Sequence, residues 1–371
     1  MHFGMQFFPD AGPDEKSAQA YWNESLDLIG LADELGYSHI RTVEHYFDRY
    51  GGYSPNPIVF LAAASQRTKK ARLVTGALLP IFNNPLKVAG EIAMLDSISN
   101  GRMEAGFARA FLPHEFRRFH RSLDESRARF DEGVLQVRRL LEEEHVTMQG
   151  RFHSFEDITS LPRPVQSPRP PFWVAATSSP DSFVNAGRNG YYVMCIPRDA
   201  AILRELVDLY RDAWRKAGHP GDGWVMMTFQ MYCATNSVEA VATYREPVNR
   251  HLRYLADASS EWGAGTTSKD YPNHPQMLEG LRKANFDAQM KQDIVWVGSP
   301  TEVRDRIEAF DEAVGGFEEA SLQVNTWTLP KDKAEASIRL FAEKVAPHFR
   351  ARRKTPPPQA RRWADIREVA T

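Results

Sequence analysis

The stretch HIRTVEHYF, residues 39–47, decides the fold. Its first six residues read as a short strand, yet that strand closes on Glu44 and His45 rather than on turn residues. A buried carboxylate followed by an imidazole is a costly strand ending unless the end faces a site. In a (β/α)8 barrel the C-terminal strand edge is where chemistry sits. Working outward, residues 17–35 carry apolar side chains at helical spacing and stop at Gly36, a fitting C-cap, and 57–65 form the next helix. The alternation then continues. Strands are expected at 2–8, 39–44, 72–79, 103–108, 172–176, 191–196, 224–234 and 320–324, with helices that include 85–98, 122–144 and 198–217. Alternating strands and helices make a parallel α/β sheet. Eight such units favour a closed (β/α)8 TIM barrel over an open, doubly wound sheet.

Two segments break the rhythm. Residues 257–293 hold Gly, Ser, Pro, Tyr and Trp with weak periodicity, and an insertion of that length before strand eight reads as a lid or binding loop. Residues 351–371 are basic and proline-rich and read as an extended surface tail, which leaves 1–350 as a single barrel domain.

Composition narrows the function classes. The 371 residues are 42% hydrophobic and 25% charged, with 46 basic and 48 acidic residues and a formal net charge of −2. That balance gives no electrostatic case for nucleic acid. The start, MHFGMQFFPD, lacks the basic and apolar regions of a signal peptide, and no run approaches the ~20 apolar residues of a membrane span. Cys195 and Cys233 are the only cysteines, too few for a disulfide framework or a cysteine-based zinc site. A cytoplasmic enzyme without a metal is the expectation. No GxGxxG after a strand, no P-loop and no HExxH is present.

Three strand ends carry polar groups. His45 meets the requirements of a general acid or base if the barrel mouth holds a ligand, although a lone histidine at a strand end also serves as a structural residue. Alternation puts Glu44 and His45 on opposite faces of the strand, so they are not a dyad. Arg109, just past strand four, suits bidentate phosphate recognition; taken alone it reads as a surface or salt-bridging residue. Arg127 follows near the start of the long helix, where Asp124 and Glu125 offer it local partners. In VAATSSPDS, residues 174–182, the strand gives way to small and hydroxyl residues and a helix begins near Pro180. Helix N–H groups with the hydroxyls of Thr177 and Ser178 make an anion site, and Ser179 as a plain N-cap is the competing reading. Gly76 and Ala77 in TGALLPIFNNP allow a flat ligand to approach the backbone, or simply pack the barrel.

These residues resemble the bacterial luciferase-like flavin-dependent monooxygenases. The resemblance runs from Met1 to about Arg350 and is carried by VEHYF (43–47), NNPLKVAGEIAMLDSISNGRMEAGFARAF (83–111), DESRARF (124–130), PFWVAATSSPDSFVNAGRNG (171–190) and VGSPTEVRDRI (297–307). It implies a TIM barrel at whose mouth reduced FMN, O2 and a small organic substrate meet. By the resemblance, His45 is the catalytic histidine and Glu44 the acidic residue before it. Arg109 and Arg127 contact the phosphate, and Ala176, Thr177 and Ser178 belong to the phosphate loop. Gly76–Ala77 falls on or next to a non-prolyl cis peptide that packs against the isoalloxazine ring. Tyr46, Ala108 and Thr177 depart from luciferase, which there has a second histidine, a reactive cysteine and a glutamate.

The resemblance thus implies an FMNH2-dependent monooxygenase served by a separate flavin reductase, with a homodimer as the expected assembly. His45 would assist proton transfer. Segment 257–293 would be the lid, with Tyr271 a pocket residue, and Phe7, Phe8 and Trp327 would line the apolar side. The alternatives are an F420-dependent oxidoreductase that transfers hydride without O2, and a non-catalytic flavin-binding subunit. His45, Arg109 and Arg127 speak against the last.

Overall fold

Eight parallel strands close a ring: β1 (His2–Phe7), β2 (His39–Thr42), β3 (Arg72–Thr75), β4 (Met103–Phe107), β5 (Phe172–Ala175), β6 (Tyr192–Cys195), β7 (Val225–Cys233) and β8 (Glu319–Gln323). The computed structural model describes residues 1–350 and the short strand Arg361–Arg362. Closure is made by β6 against β7, with Met194 opposite Met226, and by β8 against β1, with Leu322 opposite Met5. The expected TIM barrel is therefore present, although several strands are shorter than their apolar runs. Among the described residues no helix is long and apolar enough to cross a membrane, and no cluster of ligating side chains could hold a metal.

The shell follows from local signals. Asn56 and Asn84 cap the helices Pro57–Arg67 and Pro85–Ile98, each with proline in its first turn. Ser299 and Glu302 form a capping box on Pro300–Ala313. The long helix expected at 122–144 is a 3-10 turn, Leu123–Glu125, followed by Ser126–Glu142. A further strand, Val295–Gly298, escaped the sequence reading. It pairs with the second half of β7, past the stretch where β7 meets β8. An antiparallel hairpin, Val146–Gln149 with Ser154–Ile158, also lies outside the ring. In the tail, Arg361–Arg362 pairs antiparallel with Gln166–Ser167, and the remainder of that reading lies outside the described residues.

The barrel interior is polar at its floor. Arg72 donates to Glu104 at 3.0 Å and to Glu319 at 2.6 Å, and His39 Nδ1 lies 3.0 Å from Glu319. The indole N–H groups of Trp173 and Trp224 donate to Glu104 and Glu319 at 2.8 and 2.7 Å. Burial alone would raise the Glu319 carboxyl, but Arg72 and His39 outweigh it and hold it well below the usual carboxylate range. Pairing of this kind offsets much of the cost of burying charge. The floor charges are thus paired with one another, and the sequence-predicted site residues lie at the other edge.

Candidate active site

His45 stands where β2 gives way to a loop. Its Nδ1 lies 3.1 Å from Glu115 Oε1, on the short helix Pro113–Arg118. The same carboxylate oxygen accepts the Tyr46 N–H at 2.9 Å, and His114 Nε2 lies 3.2 Å from the Tyr46 carbonyl. One helix therefore clamps both residues. Glu115 is fully buried, and its second oxygen, Oε2, has no hydrogen-bond partner among the described residues. Phe8, Tyr50 and Phe111 surround the His45 ring at centroid distances of 5.8, 5.2 and 6.2 Å. Gly51, at a φ of +80°, passes so close that a Cβ would fall 2.8 Å from the His45 ring. A side chain there would push the imidazole away.

β2 ends at Thr42, so Glu44 and His45 lie in the loop beyond it, and Glu44 has partners different from those of His45. It accepts the Leu79 N–H at 3.0 Å, the Asn83 amide at 2.8 Å and the Tyr46 hydroxyl. Burial pushes its carboxyl up to about 7, against the pull of these donors. Glu44 thereby ties the His45 loop to the segment that follows β3. In that segment the peptide bond Gly76–Ala77 is cis. Gly76 leaves room as expected, but the room is filled from below. A Cβ on Gly76 would sit 1.8 Å from Arg41 Nε, and Arg41 Nη2 donates to the Gly76 carbonyl at 3.2 Å.

The arginines meet at the next strand ends. Arg109 and Arg127 are close enough that the charge of Arg127, after burial itself, lowers the Arg109 pKa. Neither guanidinium makes an ion pair among the described residues. Among the described residues the Arg109 guanidinium donates only to the Asp270 carbonyl, at 3.4 Å, and lies 5.0 Å over the Tyr271 ring, with the Asp270 and Asp131 carboxylates close enough to act on its charge. The local partners expected for Arg127 are engaged elsewhere: Asp124 accepts from Ser268 and Lys269, and Glu125 pairs with Arg129 and Arg151. Phe107 lies opposite Val174, so Arg109 and Ala176 each follow the C-terminal ends of two neighbouring, paired strands. Ala176 is buried while Thr177 and Ser178 are exposed. The helix Pro180–Arg188 starts there, and Ser179 makes no capping bond to it, so the plain-cap reading lacks its hydrogen bond. Arg198, which the sequence reading passed over, donates to the Thr177 carbonyl at 3.3 Å.

Segment 257–293 folds over this edge with more helix than its weak periodicity suggested: Ser260–Ala264, His274–Lys283 and Phe286–Lys291. Trp262 Nε1 donates to the Phe111 carbonyl at 3.0 Å, and the Tyr271 hydroxyl bonds to Ser126 and to the Ala110 carbonyl. Tyr271 is 2% exposed and forms an apolar cluster with Leu79, Ile81, Phe116, Trp262 and Leu278. Of the three residues expected to line the apolar side, Phe8 and Trp327 belong to the cluster beside His45. Phe7 points outward onto Phe60 of the helical shell, because alternation turns it away from its neighbour.

A second imidazole also stands beside Phe8 and Tyr50. His251, on the helix Ser237–Ala258, lies 3.1 Å from the buried Asp10 carboxylate, with ring centroids 5.2 Å from Phe8 and 5.5 Å from Tyr50. Neither it nor Glu115 carried a signal in sequence, since each sits on an amphipathic helix far from its partner. Arg41 did carry one. It shares the inward face of β2 with His39.

The chain as a whole is similar to known proteins. The family model for luciferase-like monooxygenases matches residues 1–316. The chain is 28% identical over 361 residues to the oxygenase component of a flavin-dependent trigonelline monooxygenase from Acinetobacter baylyi, covering 94% of this chain and 96% of that protein. It superposes on a monooxygenase from Streptomyces bottropensis, RslO1, with a TM-score of 0.85 at 44% identity, covering 94% of this chain and all of that one. The oxygenating constituent of 3,6-diketocamphane monooxygenase from Pseudomonas putida, a type II Baeyer–Villiger enzyme solved with FMN, shares the fold at a TM-score of 0.77 and 21% identity, over 96% of this chain and 99% of that one. The family match spans 316 of the 371 residues, and the chain belongs to the luciferase-like monooxygenases, a family of flavin-dependent oxygenating enzymes.

Proposed function

We propose that this protein is the oxygenase component of a two-component system. It takes reduced FMN from a separate reductase and uses O2 to oxygenate a small organic substrate. The observation that carries the FMN reading is the Arg109–Arg127 pair, two neighbouring guanidinium groups at the barrel mouth without an ion pair among the described residues. Side by side they repel, the nearby Asp131 and Asp270 carboxylates offset part of that repulsion, and a dianionic phosphate relieves the rest while accepting charge-assisted hydrogen bonds. Thr177, Ser178 and the uncapped N–H groups of Pro180–Arg188 stand at the adjoining strand end and complete the cradle. The relative from Acinetobacter baylyi is itself named an oxygenase component, in keeping with a reductase partner.

Reduced FMN supplies two electrons, which together with O2 deliver one oxygen atom to the substrate and one to water. The residues of this chain position, shield and move protons. Gly76–Ala77 offers its backbone to the flat ring, with Glu44 steadying the loop behind it. Glu115 fixes His45 with Nδ1 as the donor, leaving Nε2 to accept or return a proton on the substrate side. Phe8, Tyr50 and Phe111 make an apolar wall for an organic substrate, and the lid excludes water.

Anaerobic titration with FMNH2 and with reduced F420, followed by tryptophan fluorescence, tests the cofactor. FMNH2 should bind and reduced F420 should not. The partner is tested by mixing protein, FMN and NADH or NADPH with and without an unrelated flavin reductase. Rapid NAD(P)H oxidation without the reductase would overturn the two-component reading, and tighter binding of reduced F420 would overturn FMN.

A further inference from the structure

Arg41 is a buried cation without an acid. It is 8% exposed, and among the described residues no carboxylate pairs with it. Its Nη1 donates to Gln6 Oε1 at 2.6 Å and to the Thr228 hydroxyl. Its Nη2 donates to the Gly76 carbonyl and lies 3.3 Å from Met194 Sδ. Its Nε is buried without an acceptor. The barrel's other inward arginine, Arg72, is held by two glutamates. Burying an ion costs several kcal/mol even after relaxation, and neutral dipoles offset only part of that. The pKa of Arg41 is pushed down to about 10 by burial, so the group still carries its charge at neutral pH.

The position is specific. The four partners come from β1, the end of β3, β6 and β7, so the guanidinium reaches across the barrel just inside its C-terminal edge. Gly76 has no side chain because Arg41 occupies that space. A flat group held against Gly76–Ala77 would therefore have an uncompensated positive charge as its neighbour.

We propose that Arg41 is the counter-cation of the reduced flavin ring, selecting the N1-deprotonated reduced isoalloxazine over the oxidised one. The proposal rests on the FMN reading above. On reduction and loss of the N1 proton the ring carries a negative charge spread over N1 and the C2 oxygen; the oxidised ring is neutral. A fixed cation that no protein acid neutralises distinguishes the two. The phosphate site cannot do so, because the phosphate is the same in both forms. An oxygenase that borrows its flavin needs that distinction, holding the reduced form and releasing the oxidised one.

The test compares wild type, Arg41→Gln and Arg41→Lys for binding of oxidised FMN and, anaerobically, of reduced FMN, together with the midpoint potential of the bound couple. Circular dichroism first establishes that each variant is folded. Wild type should prefer the reduced form. Arg41→Gln should lose at least tenfold affinity for reduced FMN while oxidised FMN changes less than threefold; each tenfold lowers the potential by about 30 mV for a two-electron couple. Arg41→Lys, which keeps the charge, should keep most of the preference. If wild type binds neither form, the FMN reading fails and takes this proposal with it. If wild type binds but Arg41→Gln weakens both forms equally or neither, the role of Arg41 is overturned while the FMN reading stands. A final arm uses benzoate without flavin. Protection of wild type and not of Arg41→Gln by benzoate, with the flavin preference unchanged between them, would assign Arg41 to a substrate carboxylate and overturn the flavin role.

Discussion

His45 Nδ1 and Glu115 Oε1 lie 3.1 Å apart, joining the end of β2 to a helix that follows β4. The buried acid holds the ring by one nitrogen, and on the function proposed above the other serves the chemistry. His45→Ala should keep its thermal midpoint within a few degrees and still bind reduced FMN, while oxygenating an accepted substrate about 10²–10⁴-fold more slowly. Glu115→Gln should cost less and should displace the pH profile of kcat, because the ring remains but its proton is no longer fixed. A His45→Ala variant that unfolds, or turns over at the wild-type rate, would assign the pair to folding alone.

Among the described residues Arg109 donates to a main-chain carbonyl and lies over an aromatic face, with the Asp270 and Asp131 carboxylates nearby but not in an ion pair with it. Arg109→Ala should weaken FMN about ten- to hundredfold, the equivalent of roughly 1.5–3 kcal/mol for a charged hydrogen bond. Riboflavin, which has no phosphate, should bind the variant almost as it binds wild type. Equal losses for the two flavins, measured by fluorescence quenching, would remove the phosphate assignment.

Glu44 gives a stability signature. Its carboxyl is raised to about 7 by burial, above its ordinary value of 4.5. The folded state therefore holds a proton that the unfolded state has lost between these two values. The stabilisation from this group is complete below pH 4.5 and declines as the pH rises to 7, by roughly 2–3 kcal/mol. Glu44→Gln removes that titration. Urea unfolding at pH 5 and pH 7.5 should show the variant gaining on wild type at the higher pH; a constant difference would contradict the shifted carboxyl.

His274 sits in segment 257–293 against Trp262 and Tyr271, and burial, followed by the charge of Arg109, lowers its pKa to about 4. The packed segment disfavours the protonated ring, so the packing stability contributed by this residue is present above pH 6.5 and is lost as the pH falls toward 4. Limited proteolysis within 257–293 should accelerate across that window in wild type and respond less in His274→Phe. Cleavage that is independent of pH in both proteins would count against a segment latched by His274.

The barrel was legible because helices and strands alternate along the whole chain and each carries its own end signals. Gly36, the prolines and asparagines at helix starts, and the Glu44–His45 ending are local, and local chemistry is written in order. The strand lying beyond the ring, Val295–Gly298, was not legible, since a short buried strand and a buried loop look alike in an apolar run.

What sequence alone determined was the barrel, the edge at which polar groups gather, and the candidates His45, Gly76, Ala77, Arg109 and Arg127. Tertiary structure decided the pairings: Glu115 for His45, Asp10 for His251, Arg127 beside Arg109, and Arg41 beneath Gly76. The physical reason is closure. A residue's neighbours inside a barrel come from strands anywhere in the chain, and the charge balance of a buried group such as Arg41 depends on which of them carry an acid.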